Sequence, residues 1–115
     1  MSAYDQDGLF SGAYRLLLVF APDAEHEDLR RMEQENRARE QELDDRDMRV
    51  VRVIGEQDHP LRRRYRAPVG EFRLLLIGKD GGVKRSEADA VALEEVFAQV
   101  DSMPMRRREM RERGR

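Results

Sequence analysis

Two uninterrupted apolar runs, Leu16-Leu17-Leu18-Val19-Phe20 and Leu74-Leu75-Leu76-Ile77, constrain this chain more than any other feature. A strand with one wet face alternates apolar and polar residues. A strand with no polar position must be covered on both faces. The two runs therefore predict a central pair of strands sandwiched between other elements. Composition sharpens the point. Charged residues make up 40% of the 115 positions, against about 25% in an ordinary soluble domain. Apolar side chains are scarce, so these runs must be the centre of one small core in one domain.

The rest of the chain supplies the cover. Residues 1–13 are polar and glycine-containing and read as a loosely held start. After the first run, Pro22 and Asp23 end the strand. Asp23 is a suitable N-cap, and Glu25, Glu27 and Asp28 suit the positive end of a helix dipole. The pattern predicts one helix over residues 24–43, with Glu-to-Arg pairs four apart at 27/31, 33/37, 35/39 and 42/46. Its apolar stripe is sparse: Ala24, Leu29, Met32 and Leu43, broken by Asn36, Arg39 and Glu40. Residues 48–54, MRVVRVI, are β-branched and strand-like. Asp58-His59-Pro60 opens a short helix with Leu61 and Tyr65 inward and Arg62, Arg63, Arg64 and Arg66 mainly outward. Gly78-Lys79-Asp80-Gly81-Gly82 is a turn that returns the second apolar run as a hairpin. Ser86 then resembles an N-cap, with Asp89 three residues on. Leu93, Val96, Phe97 and Val100 form a helical stripe that Met103-Pro104-Met105 stops.

The predicted order is strand, helix, strand, short helix, two hairpin strands, helix. A crossover makes the first two strands parallel and right-handed, and the hairpin adds antiparallel pairs. The expected fold is α/β: a central four-stranded mixed sheet with helices on both faces, in the order of the thioredoxin core. The expected division is a flexible segment at 1–13, the folded domain at 14–103 and an Arg-rich tail at 104–115, either helical or frayed. Two segments add a family resemblance. FRLLLIGKDGGVK at 72–84 looks like the strand–turn–strand of thioredoxin-like proteins, and VDSMPMRRREM at 100–110 is more specific. With LLLVFAP near the start, they resemble the family known as domain of unknown function 4174, over roughly residues 14–110. The resemblance implies a thioredoxin-like fold, a bacterial setting, and similarity to modules of secreted sushi-repeat-containing proteins. It implies no established activity. Some members of that family look exported, and a leader is not seen in MSAYDQDGLFSGAY. With no long apolar segment either, the expectation is a cytoplasmic chain without a membrane span.

The chemistry that such a fold usually carries is missing. There is no Cys, which excludes disulfides, thiolate metal sites and thiol catalysis. Where thioredoxin-like enzymes place the thiol, this chain has Asp23-Ala24-Glu25-His26-Glu27. The position of their cis-proline falls on Phe72 or Arg73, and Pro68 lies earlier. His26 with Glu25, Glu27 or Asp28 would be a weak metal ligand or general base, and a solvated helix start is the favoured reading. Ser86 reads as a cap and Ser11 and Ser102 as loop residues, so no serine triad is supported. GKDGG lacks the rest of a phosphate loop. No catalytic residue, cofactor or metal ligand is assigned, and no class of small molecule is specified.

Charge is distributed unevenly. Residues 23–47 carry eleven acidic and five basic residues, whereas residues 106–115 hold six Arg and two Glu. Lys occurs only at 79 and 84. Arg suits bidentate pairing with carboxylate or phosphate. A pI near 5.8, 6% aromatic content and no Trp disfavour nucleic acid, and pairing with acidic residues is favoured. The expected function is that of a redox-inactive, protein-binding domain, with Asp23, His26, Arg62, Arg63, Arg64, Met103, Met105, Arg106, Arg107 and Arg108 as the candidate interaction surface. A protein partner or a second copy is the expected occupant. The alternatives are a non-thiol enzyme working at residues 22–27 and an anion-binding module built on the Arg clusters.

Overall fold

The computed structural model describes residues 8–114. Part of the segment expected to be loose, residues 1–7, lies outside the described residues, as does Arg115. In chain order the elements are β1 (Arg15–Ala21), α1 (Glu27–Ala38), α2 (Glu40–Asp45), β2 (Met48–Ile54), α3 (Pro60–Tyr65), β3 (Arg73–Ile77), β4 (Val83–Glu87), α4 (Leu93–Asp101) and α5 (Pro104–Glu112). The strands form one mixed sheet in the order β2-β1-β3-β4. β1 runs parallel to β2, with Leu18 opposite Val51, and antiparallel to β3, with Leu18 opposite Leu75. β3 and β4 form the hairpin, with an irregularity between Leu76 and Ile77. The expected α/β class and four-stranded mixed sheet are what the chain forms.

The two apolar runs are the two inner strands. Every residue of β1 is buried. Leu17, Val19 and Ala21 join Leu74 and Leu76 on one face, under Leu29 and Met32 of α1, Leu43 of α2, and Leu93, Val96, Phe97 and Val100 of α4. Leu16, Leu18 and Phe20 join Leu75 and Ile77 on the other face, under Leu61 of α3 and Ala67, with Leu9, Phe10 and Tyr14 packed alongside. Burying each large apolar side chain is worth about 1.5–3 kcal/mol, so these two strands carry a large share of the hydrophobic stabilisation. The outer strands are charged at their edges, with Arg49 and Arg52 on β2 and Lys84 and Arg85 on β4. Charges of this kind discourage edge-to-edge pairing.

Three local expectations are corrected. The helix predicted over 24–43 is two helices, separated at Arg39 (φ −130°, ψ 33°). Residues 36–40 contribute no buried apolar side chain that would hold a continuous ladder against the sheet. Arg39 instead reaches Glu94 at 2.9 Å and Glu42 at 3.9 Å. Asp23 does not cap α1. Its Oδ1 accepts from the Glu25 N–H at 3.0 Å, a local turn that competes with capping, and the helix begins later with His26 as its N-cap. Ser86 is not a cap either. It lies in β4 opposite Leu75, and ladder pairing takes precedence over the local cap. The start of α4 is capped from α1: Glu35 accepts from the Leu93 N–H at 2.8 Å, and Asp28 accepts from the Ala90 N–H at 3.2 Å.

The long-helix ion pairs are also redistributed. Among the described residues no ion pair joins 27/31, 33/37, 35/39 or 42/46. Glu33 pairs with Arg52 of β2, and Arg46 turns to Asp101 at 2.9 Å. Among the described residues no helix is long and apolar enough to cross a membrane.

Candidate functional site

In open α/β sheets, ligands bind beyond the carboxyl ends of the parallel strands. Here that end is built from the exits of β1 and β2 and the entry to β3. β1 leaves through Pro22 into the Asp23 turn and then α1. β2 leaves through Gly55, whose N–H donates to the Ala21 carbonyl at 2.8 Å, and continues to α3. Both exits end at a histidine, and both histidines are N-caps. His26 Nδ1 accepts from the Asp28 N–H at 3.2 Å, and His59 Nδ1 accepts from the Leu61 N–H at 3.1 Å. Accepting at Nδ1 places the proton of the neutral ring on Nε2.

Phe72, the residue before β3, stacks on the His26 ring with centroids 5.7 Å apart and planes 13° apart. The two rings close the space between the start of α1 and the start of β3. Arg62 lies across the exits of β1 and β2. It was expected to point mainly outward with its neighbours, and this is corrected: Arg62 is 3% exposed. Its guanidinium donates to the carbonyls of Gly55 (2.8 Å), Pro68 (2.9 Å), Ala21 (2.9 Å), Ala67 (3.2 Å) and Val53 (3.4 Å). It lies 5.5 Å from the Phe20 ring centroid. Burial pushes the Arg62 pKa below its ordinary value, with the charge of Glu56 opposing that shift. The strand exits turn carbonyls toward one another, and a five-donor fork can satisfy several at once. This explains why one Arg of the cluster is drawn inside, since α3 turns its Leu61 and Arg62 face toward the sheet.

The other candidates divide between two places. Arg63 and Arg64 are exposed on α3. Arg63 donates to the Asp58 carbonyl at 2.7 Å, and Arg64 lies over the rings of Phe10 (5.1 Å) and Tyr65 (5.3 Å). Met103, Met105, Arg106, Arg107 and Arg108 are at the opposite end of the sheet, where α5 docks. Met103 packs against the first core cluster and Met105 is 44% exposed. Arg106, counted among the surface candidates, is 2% exposed, which corrects its expected exterior position. Asp23, His26 and Arg62 are thus together at one end, and the methionines and tail arginines are together at the other.

The α5 end is held by charge. Arg15, at the first position of β1 and 1% exposed, forms a bidentate pair with Glu109, both contacts at 3.1 Å, and donates to the Arg46 carbonyl at 2.9 Å. Lys79 of the hairpin turn bridges Glu109 (2.7 Å) and Asp47 (2.9 Å). Arg106 donates to Asp101 and Asp45, and Arg113 donates to Asp47. Arg46 lies 4.3 Å from the Phe97 ring centroid as well as pairing with Asp101. Burial acts to raise the pKa of Glu109. The hydrogen bonds and charges of Arg15 and Lys79 outweigh it, so the carboxyl is held below the usual range. For Asp47, burial is likewise outweighed by Lys79 and Arg113, and for Asp101 by Arg46 and Arg106.

Sequence reasoning missed Arg15, Asp47, Lys79 and Glu109 as a unit, and missed Phe72 as the partner of His26. One signal was present: Arg15 abuts an all-apolar run, where a charged side chain must find a buried partner. Chemically, the carboxyl end offers two capping imidazoles and a saturated guanidinium. Among the described residues, no hydrogen bond is made by Nε2 of His26.

Fold and site together define a small α/β domain with a four-stranded mixed sheet, a plugged carboxyl end and an ion-paired C-terminal helix. The chain belongs to the family described as Domain of unknown function (DUF4174), which it matches over residues 9–109. Searches of curated proteins and of solved structures returned no match.

Proposed function

We propose that this chain is a thioredoxin-like domain without redox chemistry that acts by binding another protein. The strand order β2-β1-β3-β4, with β3 antiparallel to a parallel β1/β2 pair, supports the thioredoxin-like reading. The observation that carries the binding reading is the carboxyl end itself. Where a nucleophile would stand, His26 uses Nδ1 to cap α1 and its face to stack on Phe72, and Arg62 occupies the gap beside it. These groups hold backbone and rings in place and offer no sulfur. The charged exterior of α3 and α5 then supplies recognition.

The test is light scattering of the chain at several salt concentrations, combined with partner retrieval and footprinting of whatever is retained. Association with a defined footprint is expected. A monomer at every salt concentration with no retained partner removes the reading. An enzyme working at residues 22–27 is separated by activity: substrate turnover that is lost in His26→Gln would replace the binding role with catalysis. An anion-binding role through Arg63, Arg64 and Arg66 would appear as steeply salt-dependent retention on phosphate-bearing ligands.

A further inference from the structure

The C-terminal helix presents two faces of different character. Arg106 and Glu109 turn inward and are paired, and the exposed Arg113 pairs with Asp47. Arg107, Arg108 and Arg111 are exposed, and among the described residues none has a carboxylate within ion-pair distance. Arg107 and Arg111 stand four apart on one helix face, an arrangement of like charges that destabilises an isolated helix by about 0.2–0.5 kcal/mol. The paired inner face holds this repulsive ridge in fixed geometry. The start of α5 and the β3–β4 turn line a groove of about 280 Å³, with Met103, Pro104 and Met105 on one side and Arg15, Lys79 and the paired Asp80 and Lys84 on the other. A groove of that volume has room for one large apolar side chain. Local conflict of this kind in an otherwise consistent structure is expected where a surface serves binding.

We infer that α5 and the β3–β4 turn form the docking surface for an acidic protein segment bearing one large apolar side chain. This rests on the binding reading above and names the class of partner. The apolar side chain enters the groove against Met103 and Met105, and flanking Asp or Glu residues meet Arg107, Arg108 and Arg111. Charge complementarity selects an anionic partner, and the thioether-lined groove selects an apolar anchor. Nucleic acid fits less well, because α5 carries no aromatic ring on which a base could stack. A lipid surface fits less well, because Met105 is the one strongly exposed large apolar side chain on the helix.

The test uses the isotope-labelled full chain and a twelve-residue Glu/Asp peptide with a central Leu. Controls are the same peptide with Ser for Leu, a twelve-nucleotide oligothymidylate and phosphatidylserine vesicles. The acidic Leu peptide should shift resonances of residues 78–84 and 103–111. Replacing its Leu should weaken binding about fivefold, consistent with the loss of a partly buried apolar anchor. The combined R107E, R108E and R111E variant should weaken binding at least about tenfold with unchanged melting, because none of the three makes an ion pair among the described residues. Met105→Ser should reproduce the loss seen with the Ser peptide.

Absence of binding at low salt overturns the assignment, as does tighter binding of the oligonucleotide or vesicles. Concentration-dependent self-association through these residues, in place of peptide binding, also overturns it. Peptide shifts confined to residues 22–37 or 58–66 overturn the α5 placement while leaving the protein-binding reading intact.

Discussion

Both ends of the sheet bury arginine, one at the carboxyl end and two at the other, and they stabilise it in different ways. At the carboxyl end, Arg62 is surrounded by five backbone carbonyls and makes no ion pair among the described residues. At the opposite end, Arg15 and Arg106 are met by the carboxylates of Glu109, Asp101 and Asp45. A carbonyl keeps its partial charge at any pH, whereas a carboxylate loses its charge in acid and is screened where water reaches it. The same residue type is therefore held at one end by partners that do not titrate and at the other by partners that do. This contrast also explains why the Arg-rich C-terminal segment docks: its inner face is one side of the titrating end.

The largest expected effect comes from Arg62→Met. Five carbonyls lose a buried donor, and a loss of about 4 kcal/mol in urea unfolding is expected, nearly the same at low and high salt. Equal destabilisation of Arg62→Met and an exposed Arg63→Met would break the contrast between inward and outward arginines on α3. Next is Glu109→Ala, which leaves Arg15 buried without its carboxylate. About 3 kcal/mol is expected, with hydrogen exchange rising first over residues 104–112. High salt should lower the stability of the unaltered chain more than that of this variant.

Acid should separate the two ends without mutation. Asp47, Asp101 and Glu109 have folded-state pKa values below their ordinary values. Their contribution is fully present above the unfolded carboxylate pKa, near 4, and is lost as pH falls through the lower folded values. NMR as pH falls through the carboxylate range should therefore show α5 contacts weakening while the Arg62 hydrogen bonds to backbone carbonyls persist. Simultaneous loss at both ends would contradict the comparison.

Smaller still is His26→Ala, which removes a cap and a ring stack. About 1 kcal/mol is expected, with His26→Asn recovering most of the cap but not the stack. The smallest effect is Glu27→Gln: with no 27/31 ion pair among the described residues, a stability change under about 0.5 kcal/mol is expected.

Much of the fold was legible in local sequence. The runs at 16–20 and 74–77 identified the strands covered on both faces, and GKDGG identified the hairpin. The break at Arg39 was less legible, because propensity favours helix throughout that segment while tertiary contacts recruit Arg39 to Glu94. The capping of α4 by Asp28 and Glu35 was not legible, because the donors and acceptors are about sixty residues apart. At the candidate site, the lack of a thiol was readable from composition. The stacking of His26 on Phe72 required the entry to β3 to be brought against the start of α1.

Sequence alone determined that the chain must build a thin two-sided core around two apolar strands, and that no cysteine thiol has a part in its chemistry. Those conclusions depend on residue type and on short periodicities, which survive without knowledge of distant neighbours. Only the tertiary structure decided which arginines are buried and which carboxylates they meet. The physical reason is that a local i,i+4 pair contributes about 0.2–0.5 kcal/mol, whereas a buried guanidinium left without a partner costs several kcal/mol. Partner choice in a chain this rich in charge therefore follows proximity in the folded molecule rather than spacing along it.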